Sequence, residues 1–142
     1  GDRYWRATLP ETRAWREWHL LADLAAQGLP VPVPVAARVI TGGPFYRADI
    51  IMQRLVGTRS LSQALEESSL TEAQWQAIGH CIRRFHKAGV YHADLNAHNI
   101  LLSAEGSTSG PNDEVWLIDF DKGEIRPESR DWQTANLERL RR

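Results

Sequence analysis

The sequence has one cysteine, one methionine, almost no excess charge and no long apolar run, and each shortage excludes something. With Cys81 alone no intramolecular disulfide can form, so nothing demands an oxidising compartment and a reducing cytoplasm fits. Lys and Arg number 17 against 18 Asp and Glu, a formal net charge of -1. That balance supplies no overall field for nucleic acid, so no nucleic-acid partner is expected and any anionic partner has to be met by a local basic cluster. No apolar stretch approaches the roughly 20 residues that span a bilayer, and the proline-interrupted Val31 to Ile40 segment carries Arg38. The chain is therefore not expected to cross a membrane, although peripheral attachment stays open. Gly1 to Glu17 is polar and rich in Arg and Trp, without the apolar centre of a secretory signal. What is present, 142 residues at 42% hydrophobic and 25% charged, is the profile of one globular unit and not of a disordered tail or fibrous repeat.

Periodicity supplies the elements. Thr8 and Glu11 fit a capping box with Pro10 in the first turn, Trp18, Leu21, Ala22 and Ala25 recur at helical spacing, and Gly28 and Pro30 stop the pattern, which predicts a helix over 11–27. Val31, Val33 and Val35 alternate with prolines and read as extended. Arg38 to Ile40 and Tyr46 to Leu55 then form a hairpin around Gly42-Gly43-Pro44. Leu61 to Leu65 suggests a short helix. A longer one starts at a Thr71/Gln74 capping box, carries an apolar stripe of Trp75, Ile78, Ile82 and Phe85, and ends at Gly89. Three short apolar pieces follow, Val90-Tyr91, Ile100 to Leu102 and Val115 to Ile118, with a Ser/Gly/Asn-rich loop at 103–113. Trp132, Ala135, Leu137 and Leu140 mark a closing helix with an arginine-rich end. Trp15, Trp18, Trp75 and Trp132 are expected on buried faces.

The chemistry is concentrated in His92-Ala93-Asp94-Leu95-Asn96-Ala97-His98-Asn99 and, beyond the next hairpin, Ile118-Asp119-Phe120-Asp121. An Asp, an Asn five residues later and a second Asp after an apolar strand suit phosphoryl transfer, which needs metal ions on the phosphate oxygens and a carboxylate to orient the attacking hydroxyl. Magnesium is a hard cation that takes oxygen ligands, and a carboxylate with an amide oxygen leaves positions open for phosphate. Asp94 is accordingly the candidate catalytic base, and Asn99 and Asp119 the candidate Mg2+ ligands. His86, His92 and His98, six residues apart, match no zinc-site spacing and are read as structural hydrogen-bonding residues.

These two stretches resemble the catalytic loop H-x-D-L-x-x-x-N and the metal loop D-F-G of the protein-kinase-like superfamily. The resemblance implies an α+β, two-lobed kinase-like fold: residues 1–52 a partial N-lobe with helix C and the following strands, residues 53–142 a hinge and a minimal C-lobe. It implies ATP as cofactor. Gln53 and Leu55 would fall in the hinge that hydrogen-bonds adenine, Leu101 in the apolar floor under the base, and Glu17 where the family pairs a glutamate with the phosphate-holding lysine. Only 16 residues precede Glu17, with no Gly-rich loop and no strand lysine among them, so the N-lobe is read as incomplete.

Ala93 stands where many protein kinases have the arginine that receives a phosphorylated activation loop, and Asp121 where D-F-G has its glycine. Only 23 residues follow Asp119, too few for a peptide-docking subdomain, which favours a small acceptor. Within the superfamily the chain resembles the kinases of 3-deoxy-D-manno-octulosonic acid (Kdo), related to the lipopolysaccharide core heptose kinases. The resemblance runs from Asp2-Arg3-Tyr4-Trp5 through Gly28-Leu29-Pro30-Val31-Pro32 and Tyr46-Arg47-Ala48-Asp49-Ile50 to Asp119-Phe120-Asp121-Lys122-Gly123. It implies phosphorylation of the 4-hydroxyl of Kdo on a lipid A precursor at the cytoplasmic face of a bacterial inner membrane. Arg47, Lys122, Arg126 and Arg130 are then candidates for the anionic acceptor, since arginine binds carboxylate and phosphate bidentately. Arg139, Arg141 and Arg142 are candidates for peripheral contact with anionic headgroups. The alternatives are a kinase for another small molecule (a core heptose, an aminoglycoside, a choline-like amine) and a nucleotide-binding pseudokinase.

Overall fold

The computed structural model describes residues 4–5, 12–42, 45–103 and 115–141. Strand β1 (Tyr4–Trp5) is followed by helix α1 (Arg13–Ala26), with Thr12 as its N-cap and Gly28 turning the chain out of it at φ +71°. The capping box expected at Thr8 and Glu11 lies outside the described residues, and the helix starts later than its pattern suggested. Strands β2 (Pro34–Gly42) and β3 (Phe45–Met52) pair antiparallel, Arg38 opposite Asp49 and Ile40 opposite Arg47, with a register irregularity between Pro34 and Ala36. Proline has no N–H to give a ladder. Yet β2 begins four residues before the expected strand, because Pro34 sits at its first position, where no donor is required. Strand β1 adds to the free side of β3, giving the order β1-β3-β2, and α1 lies across β2 and β3.

After β3 come β4 (Thr58–Ser60), α2 (Leu61–Glu67) and α3 (Glu72–Lys87). Both helices begin with a complete capping box, Ser60/Gln63 and Thr71/Gln74, in which the hydroxyl accepts from the third N–H and the glutamine reaches back to the cap. Strand β5 (Val90–Tyr91) leads into the loop that carries Asp94 and Asn99, then β6 (Ile100–Ser103), β7 (Val115–Leu117), β8 (Glu124–Ile125) and α4 (Arg130–Leu140). Strands β4, β6 and β7 form one antiparallel sheet, while β5 pairs with β8. Gly89 makes that last pairing possible. Its φ is +72°, and a Cβ there would stand 2.6 Å from the Arg126 carbonyl oxygen.

One core joins these parts. Leu21 and Leu24 of α1 pack with Leu29, Val31, Ile78, Ile82, Phe85, Leu95, Ile100, Leu117 and Phe120. The Leu117 N–H donates to the Pro30 carbonyl at 3.1 Å, which ties the segment after α1 to β7. Trp75 does not join this core: it is 46% exposed, because the stripe through Ile78, Ile82 and Phe85 runs past the core in the first turn of α3. Trp132 is half-buried, its ring edge-on to His86 at 5.2 Å.

Candidate functional site

The site is built outward from a buried histidine. His92 is 2% exposed; its Nε2–H donates to the Ile118 carbonyl at 2.8 Å, and its Nδ1 accepts from the Asp94 N–H at 3.2 Å. A carbonyl can only accept, so the tautomer is fixed with the proton on Nε2. Burial pushes the imidazole below its ordinary pKa; the Ile118 bond and the Asp119 and Asp94 carboxylates oppose this without overcoming it. His92 is therefore neutral and braces the loop, as its position in the sequence suggested.

The turn between His92 and β6 is held by its amides. The Asn96 side-chain oxygen accepts from the N–H groups of His98 (2.8 Å) and Asn99 (3.2 Å). The Asn99 amide nitrogen donates to the Asp94 carbonyl at 2.9 Å. Because that carbonyl cannot donate, Asn99 has to present nitrogen there and its oxygen on the opposite side, unspent among the described residues. The Asn99 carbonyl in turn accepts from the Ile118 N–H at 3.0 Å. Both backbone groups of Ile118 are thus committed to the 92–99 loop, one through His92 and one through Asn99. Asp119 comes next in the chain, so the position of one loop sets that of the other.

Asp119 has φ +64°, the one non-glycine residue among those described in the left-handed region. Phe120 behind it is 1% exposed and stacks on Phe85 at 5.8 Å. Asp94 and Asp119 open onto a single cleft of about 460 Å3, lined also by Tyr91, Ala93, Asp121, Lys122 and Arg139. That volume lies within the ~300–1,000 Å3 of small-molecule sites. Glu17 approaches from α1: burial, and after it the Asp119 charge, raise its pKa, while Arg13 lowers it. Arg13 itself holds Asp121 bidentately, Nε to Oδ1 at 2.8 Å and Nη2 to Oδ2.

Asp94, Asp119 and Lys122 therefore share one cleft; Asn99 is buried beside it on the Asp94 carbonyl, and Glu17 lies near enough to feel the Asp119 charge, but neither of these two lines it. Other candidates fall elsewhere. The Gln53 N–H is spent on the Val33 carbonyl at 2.8 Å, and the Leu55 carbonyl accepts from the Thr58 hydroxyl at 3.0 Å, leaving the Leu55 N–H without a partner among the described residues. Leu101 alternates with the buried Ile100 and Leu102 and so faces the other side of β6. Arg126 does not line the cleft but stacks on Tyr91, which does, 3.6 Å from the ring centre, and pairs with Glu124 at 2.9 Å. Arg47 is exposed on β3 and Arg130 exposed at the start of α4; neither lines the cleft. Arg139, expected to face headgroups, lines it instead; Arg141 is exposed and Arg142 lies outside the described residues.

Sequence reasoning missed Asn136. It is 2% exposed on α4, accepts from His86 Nε2–H at 3.2 Å and donates to the His92 carbonyl at 2.6 Å, joining α3, α4 and the 92–99 loop. Its only signal was an amide on a helix face that was otherwise expected to be apolar. Arg13 was missed too, although its spacing of four from Glu17 places both on one side of α1.

A three-stranded sheet crossed by one helix, a short connecting segment and a mainly helical part with paired Asp-bearing loops define the protein-kinase-like fold. Two solved structures agree. WaaP in complex with acyl carrier protein superposes with a TM-score of 0.66 at 23% identity, over 90% of this chain and 57% of that one. The Rio2 kinase-ADP/Mg2+-phosphoaspartate complex from Chaetomium thermophilum gives 0.63 at 21% identity, over 94% and 42%. The chain belongs to the lipopolysaccharide kinase (Kdo/WaaP) family, whose sequence model matches residues 2–142. It is 45% identical over 141 residues to the 3-deoxy-D-manno-octulosonic acid kinase of Xylella fastidiosa strain 9a5c, covering 99% of this chain and 53% of that one. The enzymes of the same name from Mannheimia succiniciproducens and Vibrio vulnificus are 43% and 39% identical, each over 99% of this chain and over 57% and 56% of their own lengths. The chain thus spans about half the length of the curated relatives it matches.

Proposed function

We propose that the protein transfers the terminal phosphoryl group of ATP to a hydroxyl of an anionic sugar, the 4-hydroxyl of Kdo on a lipid A precursor, in lipopolysaccharide core biosynthesis. The observation that carries this is the shared cleft of Asp94 and Asp119, with the Asn99 amide oxygen turned away from the Asp94 carbonyl. Asp94, exposed and held by the His92 brace, accepts the acceptor hydroxyl's proton and orients its oxygen. Asn99 and Asp119 suit a Mg2+ ion, since each offers the oxygen that a hard cation takes. Magnesium held there by Asn99 and Asp119 would supply positive charge beside the group being transferred.

Residues 1–52 belong to the N-lobe and 53–142 to the hinge and C-lobe, with Gln53 and Leu55 in the hinge beside adenine, Leu101 flooring the base and Glu17 pairing with a phosphate-holding cation. The cleft suits an anionic acceptor. Asp121 is paired to Arg13, and Asp94 and Asp119 are committed to hydroxyl and metal, which leaves Lys122 and Arg139 to meet carboxylate or phosphate. Arg126 supports this wall through Tyr91, while Arg47 and Arg130 lie outside it. No helix among the described residues is long and apolar enough to cross a membrane, and the acceptor is reached by peripheral contact at the cytoplasmic face of the inner membrane.

The test is phosphate transfer from Mg-ATP by the intact protein to Kdo-lipid A, with an aminoglycoside and choline as controls. Transfer to Kdo-lipid A alone is expected. Transfer to an amine acceptor, or ATP binding without transfer to any acceptor, would overturn the assignment.

A further inference from the structure

Two residues of α1 contact the loop that carries Asp119, and a third on the same face lies near Asp119 itself. Arg13, Glu17 and Leu20 are spaced by four and three, so they share one face of the helix. Arg13 grips Asp121 with both arms of its guanidinium. Glu17 is close enough to Asp119 to feel its charge. Leu20 covers Gly123, where an added Cβ would lie 2.8 Å from Leu20 Cδ2 and 3.1 Å from Phe120. The loop is thereby read along its length by one helix face.

This matters because Asp119 is held in a backbone region that aspartate occupies only when its surroundings over-determine it. On its N-terminal side Ile118 is bonded at both backbone groups. On its C-terminal side the Gly123 N–H closes a turn on the Phe120 carbonyl at 2.8 Å, and Asp121 sits inside that turn. A glycine at 121 would remove the carboxylate that Arg13 grips. We propose that Arg13 and Asp121 are a positioning pair that clamps the first turn of α1 to the 119–123 loop and thereby sets where the Asp119 carboxylate points. The function of the clamp rests on the phosphotransfer role given above; its existence as a restraint does not.

Both side chains keep about a third of their surface in water, 34% each. Water partly screens a pair that exposed. Its loss is therefore expected to be felt more in the loop and in the metal-nucleotide step than in the melting temperature. That separates a positioning role from a merely structural one.

The experiment uses Arg13→Gln, Arg13→Lys, Asp121→Asn and the exchanged pair R13D/D121R in the intact protein. The first readout is amide hydrogen exchange across residues 119–123 without nucleotide; the second is the magnesium concentration that half-saturates nucleotide binding. Each single change is expected to speed exchange at Gly123 several-fold and raise the magnesium requirement about tenfold, an effect of misplacement. R13K, which keeps the charge and loses the fork, falls between, and the exchanged pair recovers part of both effects. Wild-type exchange and magnesium requirement in Asp121→Asn, in a protein that still transfers phosphate, would overturn the clamp alone. Faster exchange in that variant, with no magnesium-nucleotide binding by the parent protein, would keep the clamp and overturn the phosphotransfer assignment.

Discussion

Replacing Asn136 with Ala should be among the costliest polar substitutions in the chain. The side chain is 2% exposed and serves two buried partners, the His86 imidazole at 3.2 Å and the His92 carbonyl at 2.6 Å. Truncation strands a donor on one side and an acceptor on the other, at about 1–3 kcal/mol each. The two costs are not independent, and a total of about 2–5 kcal/mol is expected, corresponding to a fall of roughly 5–15 °C in melting temperature for a domain of this size. Thr134→Ala, exposed on the same helix, is the control and should change stability by less than about 0.5 kcal/mol. Chemical denaturation of both variants and the parent gives the comparison. A loss under about 0.5 kcal/mol for Asn136→Ala would mean that water replaces the amide and that α4 does not support the 92–99 loop. The same substitution should slow turnover in its folded fraction, because the His92 carbonyl is one residue pair away from Asp94.

Acid should weaken the fold through the same histidines. Burial lowers the pKa of both His86 and His92 from an ordinary 6.5, so the unfolded chain binds more protons than the native one below that value. Their contribution is complete above pH 6.5 and is lost as pH falls through the depressed native values; Glu17, raised from 4.5, opposes this at lower pH. Unfolding free energies measured from pH 8 down to 5 check the sign, and stability that rises on acidification below 6.5 would reverse it. Asp94→Asn is expected to leave nucleotide affinity nearly intact and cut turnover about 10²-fold or more, read in steady-state kinetics. Lys122→Ala and Arg139→Gln should raise the acceptor's KM more than that of ATP; the opposite split would remove them from the acceptor wall.

Local chemistry was legible in the sequence wherever a short stretch carries its own reason. The Thr71/Gln74 box, the helix stop at Gly89 and the 92–99 loop each depend on residues a few positions apart, and each leaves its signal in a short stretch of sequence. The Ser60/Gln63 box had the same signal and went unread beside a helix recognised only by its apolar residues. Long-range pairings left no such trace. Arg13 and Asp121 are 108 positions apart, and Asn136 lies 44 and 50 from its partners, so their meeting depends on how α1 and α4 pack. Helical spacing likewise placed Trp75 on the apolar stripe of α3 but could not say where the core beneath it stops. Arg139 and the headgroup-facing role expected of it show the same limit: periodicity assigns a face to a residue, while only the fold decides what that face meets.

The most direct test of the central claim is magnesium-dependent binding of a fluorescent ATP analogue to the intact protein and to Asp119→Ala. The parent should bind in magnesium and release the analogue when magnesium is chelated, and the variant should show no magnesium-dependent binding while remaining folded. Magnesium-supported binding of undiminished affinity in Asp119→Ala would contradict the convergence of Asp94, Asn99 and Asp119 on one metal-nucleotide cleft.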